Sequence, residues 1–161
     1  MIVVSPDTFL LNDAGVYEWT PARAAAAWDR AYREWEDALG RTLGGMLLVG
    51  LPGSGKSTWI AELQAPGLAV MGRPPAIAVF DATNTSRIGR RPLIEIARML
   101  DKQVEALLFP VPLITALRRN AERPPERRVP FDTMARMARQ LDEDMPCLSE
   151  GFWRVSRATT G

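Results

Sequence analysis

Nine consecutive residues, Gly50-Leu51-Pro52-Gly53-Ser54-Gly55-Lys56-Ser57-Thr58, place two glycines five apart and follow the second with lysine and hydroxyl side chains. Gly50-x4-Gly55-Lys56-Ser57 is the full phosphate-loop pattern. Its chemistry follows from its residue types. Gly50, Gly53 and Gly55, with Pro52 and Ser54 between them, let backbone N–H groups converge on a β-phosphate, and the N-terminus of the next helix adds a favourable dipole. Lys56 is expected to reach the β- and γ-phosphates, Ser57 to ligate Mg²⁺ and Thr58 to assist at the α-phosphate. ATP and Mg²⁺ are therefore the expected cofactors. Lysine is scarce, with Lys102 the only other one, so a lysine inside this loop is not incidental.

Histidine is absent and Cys147 is the single cysteine, which excludes internal disulfides and His-based catalysis. Any general base must then be a carboxylate. Asp7 is the expected base because it follows a short apolar run at the chain start; Asp13 competes with it. Residues 68–73, where a conventional chain order puts that acid, contain none. Asp81 ends another apolar run and is expected either to orient Mg²⁺ water or to hold the acceptor, with a helix N-cap as the alternative. Thr83 and Asn84 offer neutral hydrogen bonds to the acceptor or to the sheet edge. Arg119 and Arg123 lead into a Pro- and Arg-rich loop suited to close over ATP and stabilise charge on the transferred phosphoryl. A merely basic surface loop is the plainer reading of that segment.

These residues need a scaffold that brings strand ends together. The 161 residues are 47% hydrophobic and 24% charged, an ordinary composition for one soluble domain. No apolar run reaches the length of a membrane span and the N-terminus lacks a signal peptide's basic start, so a cytoplasmic protein without membrane contact is expected. No obligate protein partner is inferred. The net charge of +1 hides an uneven spread, with arginines concentrated between Arg87 and Arg139.

The patterning predicts strands at residues 2–4, 46–49, 76–80 and 104–109, an edge strand near 152–155, and a loop over 67–75 with a short strand at 68–71. Thr20-Pro21 opens a helix over 21–39 with Trp28, Ala31, Trp35 and Leu39 inward. Further helices are predicted over 56–63, 91–100, 112–122 and 131–144, the last with Phe131, Met134, Met137 and Leu141 inward. Strands alternating with helices mean α/β architecture around a parallel sheet.

GLPGSGKSTW, FDATNTSRIGRR, FPVPLITALRRNAER and RVPFDTMARM resemble, in that order, the kinase domain of phage polynucleotide kinase and its relatives. VVSPDTFLLNDAGVYEWTPARAAAAW is similar to the stretch that follows the P-loop helix in that family, yet here it comes first. The resemblance implies a three-layer P-loop kinase fold with circularly permuted strand order and a single domain. Residues 1–45 would supply the base strand and acceptor-side helix, 46–110 the P-loop and D-x-T-N core, and 111–145 the lid and final helix. It implies Asp7 as general base, Arg123 as lid arginine with Arg119 its helix partner, and Asp81, Thr83 and Asn84 on the D-x-T-N motif. Members acting on 5′-ends often carry arginine three residues after the base, where this chain has Leu10. The permuted order also resembles small phage kinases that phosphorylate 5-hydroxymethyluracil in DNA, which makes DNA the expected acceptor and the host cytoplasm the expected setting. Tyr17, Trp19 and Trp28 are then candidates to stack on a base. Three other readings stay open: a 5′-OH polynucleotide kinase, a small-molecule kinase and a non-catalytic nucleotide-binding module.

Overall fold

Short apolar runs between helical segments become strands here because each can bury both faces. The computed structural model describes residues 1–64 and 76–159. Its elements in chain order are β1 (Ile2–Val4), a 3-10 turn (Pro6–Leu10), α1 (Pro21–Gly40), β2 (Gly44–Val49), α2 (Lys56–Gln64), β3 (Ile77–Asp81), α3 (Arg87–Met99), β4 (Gln103–Leu108), α4 (Leu113–Ala121), α5 (Phe131–Glu143) and β5 (Arg154–Arg157). The five strands form one sheet in the order β1-β3-β2-β4-β5, and all four pairings are parallel. This is the expected α/β architecture with a central parallel sheet, consistent with a P-loop kinase fold.

Side chains alternate across the sheet, as strand geometry requires. Val4, Leu47, Val49, Ala78, Phe80 and Leu108 turn to the face covered by α1 and α3, where Trp35, Leu39, Leu93 and Ala97 meet them. Leu48, Val79, Leu107 and Phe109 turn the other way, toward Ile60 of α2. Trp35 is fully buried and donates its indole N–H to Leu93 O at 3.1 Å, joining α1 to α3. Gly45 leaves room for it, since a Cβ there would lie 2.6 Å from the Trp35 ring. Trp28 packs against Phe80 with centroids 5.7 Å apart, so it belongs to the core rather than to an acceptor surface.

Thr20 caps α1 as its sequence predicts, its Oγ1 accepting from Arg23 N at 3.1 Å. Helix α3 starts at Arg87, not Arg91: the Ser86 side chain accepts from Gly89 N, and Pro92 is carried inside the helix. Phe131 is a second correction. It is 62% exposed, while Met134 on the same helix is fully buried against Leu51 and Ala116. The terminal strand forms at Arg154–Arg157, two residues later than predicted, as an edge partner of β4. The loop expected over 67–75 and the strand at 68–71 lie outside the described residues. Among the described residues no helix is long and apolar enough to cross a membrane.

Candidate active site

Because every strand is parallel, all carboxyl ends fall on one edge, where α/β sheets bind ligands. Val4 and Leu47 both align with Phe80, and Leu48 aligns with Asp81. The segments leaving β1, β3 and β2 therefore emerge side by side. They carry Asp7, the Asp81–Asn84 stretch and the glycine loop.

The loop lies between β2 and α2, as its pattern demands. Gly53 has φ +80°, and a Cβ there would stand 2.9 Å from Ala116 O and 3.2 Å from Arg119 Cβ, so α4 crowds directly onto the loop. Gly55 has φ +101° and open space where its side chain would be. Lys56 is buried, and its ammonium donates to Gly50 O at 2.8 Å, Leu51 O at 2.9 Å and Ser54 Oγ at 3.3 Å. Desolvation lowers its pKa to about 8, opposed by the Asp81 and Asp7 charges. Ser57 and Thr58 are exposed on the first turn of α2, open to a phosphate or its metal.

Asp7 sits in the 3-10 turn after β1 with its side chain exposed, yet enough protein crowds the carboxyl to raise its pKa. Arg123, Arg127 and Lys56 pull that value back down. Asp81, half-buried at the end of β3, is also raised by desolvation, with Lys56 and Arg123 opposing and Asp7 adding to the rise. Each of the three groups thus feels the other charges across the same edge. Asp13, the competing base, is exposed in the turn closed by Gly15 N donating to Asn12 O at 2.8 Å. The alternative role for Asp81 as a helix cap falls away, because Ser86 caps α3.

The two arginines expected to form a lid differ in their contacts. Arg119 donates Nη1 to Gly53 O at 3.2 Å and so grips the loop backbone. Arg123 is half-buried and its charge reaches Asp7, Lys56 and Asp81. Thr83 and Asn84 are engaged with the sheet edge: Gly50 N donates to Thr83 O at 2.9 Å, and Asn84 Nδ2 donates to Leu48 O at 2.8 Å. Among the described residues the buried Asn84 Oδ1 has no hydrogen-bond partner.

Two arginines enter the site's account only with the structure. Arg127 stands 5.8 Å from the Tyr17 ring centroid, and Tyr17 in turn feels Asp7. Arg90 is fully buried, holding Glu150 through two hydrogen bonds of 2.8 and 2.9 Å, Asn84 O at 2.8 Å and Asp144 O at 2.6 Å. Arg90 thereby ties the Asp81–Asn84 stretch to Asp144 and Glu150.

The donors present suit Mg²⁺. Among the described residues no cluster of three or more His, Cys, Asp or Glu side chains forms, and Mg²⁺ needs none: one hydroxyl or carboxylate plus phosphate oxygens and water suffices. Ser57, with Asp81 near Lys56, would hold it.

Residues 68–143, just under half of the chain, match a family model described as AAA domain. The matched segment carries Asp81, Thr83, Asn84, Arg119 and Arg123, but neither the glycine loop nor Asp7. No curated protein matches the chain. Together with the loop, the match makes nucleotide binding in the manner of a P-loop kinase the coarse reading of the domain.

Proposed function

We propose that the chain is an ATP-dependent kinase acting on a hydroxyl carried by DNA, with the hydroxymethyl group of a modified base such as 5-hydroxymethyluracil as acceptor, in phage DNA hypermodification. The observation that carries the kinase reading is the convergence of Asp7, Lys56, Asp81 and Arg123, from four separate segments, into one electrostatic neighbourhood. A nucleotide-binding module without chemistry has no use for an acid opposite its phosphate lysine. The strand order supports a circular permutation: β1, first in the chain, pairs with β3 and supplies the acid that residues 68–73 lack.

In the proposed reaction Asp7 accepts the proton of the acceptor hydroxyl as its oxygen bonds to the γ-phosphorus. The bond from that phosphorus to the β–γ bridging oxygen breaks, and ADP leaves. Lys56 leaves its loop carbonyls to hold β- and γ-oxygens, Arg123 balances the charge spread over the moving phosphoryl, and Arg119 keeps the loop in place. Ser57 and Asp81 would hold Mg²⁺, which would supply charge neutralisation on the phosphates.

The DNA assignment rests on the motif resemblance and on Arg123 and Arg127, whose charges act on Asp7 and which make no ion pair among the described residues. A 5′-end acceptor has less support, since position 10 is a buried leucine, 4% exposed, where an end-contacting arginine would be needed. The deciding experiment is transfer of label from γ-labelled ATP to four acceptors. These are 5′-OH oligonucleotides, 5′-blocked DNA carrying hydroxymethyluracil or hydroxymethylcytosine, and small alcohols. Transfer to 5′-blocked hydroxymethylated DNA is expected. Transfer only to 5′-OH ends or only to small alcohols would overturn the acceptor assignment, and absence of any transfer would overturn the kinase reading.

A further inference from the structure

The hairpin between the 3-10 turn and α1 is built with more care than a connecting loop needs. Leu11 and Tyr17 form an antiparallel bridge, and Asn12 N donates to Val16 O at 2.9 Å. The Asn12 side chain accepts from Ala14 N at 3.0 Å and Val16 N at 2.9 Å, and donates to Glu18 Oε1 at 2.8 Å. Glu18 N donates to Leu10 O at 2.8 Å, and its carboxylate pairs with Arg23 of α1 at 2.8 Å. The product of this bracing is a fixed, half-exposed Tyr17 ring that belongs to none of the apolar clusters.

Over that ring stands Arg127, 5.8 Å from its centroid. Among the described residues Arg127 makes no ion pair and no side-chain hydrogen bond, whereas Arg23, Arg30, Arg41, Arg90, Arg91 and Arg154 all have carboxylate partners. The Asp7 charge acts on Tyr17, and the Arg127 charge acts in turn on Asp7. The pair is thus within reach of the charge of the proposed base. Trp19, two residues beyond, is 61% exposed and adds a second aromatic surface to the same strand of the hairpin.

We propose that Tyr17 and Arg127 form a clamp for the acceptor, in which an unstacked nucleobase lies against the Tyr17 ring while the phosphodiester beside it meets the Arg127 guanidinium. The clamp rests on the nucleic-acid reading above and gives it a recognition site. An exposed cation over a ring is held more weakly than a stacked base, so an arriving base displaces the guanidinium toward its own phosphate. Preorganisation by the Asn12 bracing removes part of the ordering cost of binding.

The test uses the full chain with ATP and a single-stranded, 5′-blocked oligonucleotide containing hydroxymethyluracil, in parallel with the free hydroxymethyluracil nucleoside. Tyr17→Ala is expected to raise KM for the oligonucleotide by about 5- to 150-fold, the range for losing one stacked base, with KM for ATP within about twofold of wild type. Tyr17→Phe keeps the ring and is expected to stay within about threefold. Arg127→Gln is expected to raise KM for the oligonucleotide by about tenfold, leave the nucleoside nearly unaffected and reduce the salt slope of oligonucleotide binding by about 0.7, the loss of one phosphate contact. Unchanged oligonucleotide KM in Tyr17→Ala, in a wild type that does phosphorylate the oligonucleotide, overturns the clamp alone. Equal loss of kcat in Tyr17→Phe and Tyr17→Ala also overturns it, since the hydroxyl would then be positioning Asp7. A wild type that neither modifies the oligonucleotide nor binds it by fluorescence anisotropy overturns the nucleic-acid reading, and the clamp with it.

Discussion

Asn84 donates its side-chain amide to the main-chain oxygen of Leu48 at 2.8 Å, stitching the segment after β3 to the strand that launches the phosphate loop. The residue holds φ at +48°, a left-handed conformation that asparagine tolerates better than most side chains. Asn84→Ala removes a buried hydrogen bond and leaves a strained backbone. It should cost about 1–3 kcal/mol and lower the thermal midpoint by about 3–10 °C. ATP affinity should weaken several-fold, because the loop loses half of its tether to β3. Calorimetric unfolding with and without ATP measures both effects. An unchanged midpoint would mean that the stitch contributes nothing.

Asp7→Asn keeps the size of the side chain and removes its basicity. Phosphoryl transfer is expected to fall by about 100- to 10,000-fold, while the Kd for ATP stays within about threefold. Single-turnover transfer and equilibrium nucleotide binding separate the two. Full activity in the variant would remove Asp7 from the mechanism and with it the reading of the N-terminal segment.

The Asp7 carboxyl titrates above its ordinary value of 3.8 because burial disfavours its charged form. Only the ionised form can take a proton, so kcat/KM should fall as pH drops through that raised value. Arg127 is one of the cations holding the value down, so Arg127→Gln should move the acid limb to higher pH. A pH–rate profile of the two proteins checks the sign. A limb that shifts downward would contradict the assignment.

Lys56 is a cost to the fold at neutral pH. Its folded pKa of about 8 lies below the ordinary 10.5, so the unfolded chain binds the extra proton between those values and stability should rise with pH across that window. Below pH 8 the penalty is fully present, on the order of 3 kcal/mol as an upper bound. Lys56→Met should therefore abolish ATP binding while raising the thermal midpoint at pH 7, with the gain shrinking above pH 8. A midpoint lower than wild type at pH 7 would show that the three loop hydrogen bonds outweigh the buried charge.

Arg90 and Glu150 form the most enclosed ion pair described, with side chains 0% and 3% exposed. Glu150→Gln leaves an uncompensated cation in the interior and should destabilise by about 3–5 kcal/mol. Arg91→Gln, one residue away but paired at the surface with Glu95, should cost under about 1 kcal/mol. Chemical denaturation of both variants gives the contrast, and similar losses would overturn it.

The contrast between Arg90 and Arg91 also marks where the sequence stops being legible. The glycine loop, Thr20 cap and apolar strand runs are local patterns, and the structure has them where their spacing puts them. The proposal of Asp7 as base rests on a less direct signal, the lack of an acid at residues 68–73. Two adjacent arginines carry no such signal, since burial of one depends on Glu150, far away in the chain. Phe131 departs from expectation for a related reason: α5 is covered along Met134, Met137 and Leu141, while Phe131 in its first turn stays 62% exposed. The start of α3 was obscured by Pro92, which fits a first turn better than the interior position it occupies. Arg127 became distinguishable from Arg128 only once Tyr17 was seen beneath it.

Among the described residues strand β1 is three residues long, lies at the sheet's rim and has β3 as its sole neighbour. The proposed base thus hangs from the most easily detached strip of the sheet, while the phosphate loop rises from its best-anchored strand. Fraying of so short a rim strand requires far less free energy than global unfolding. On warming, the protein should lose its ability to deprotonate an acceptor while still gripping nucleotide, an idling state in which ATP is held and not spent.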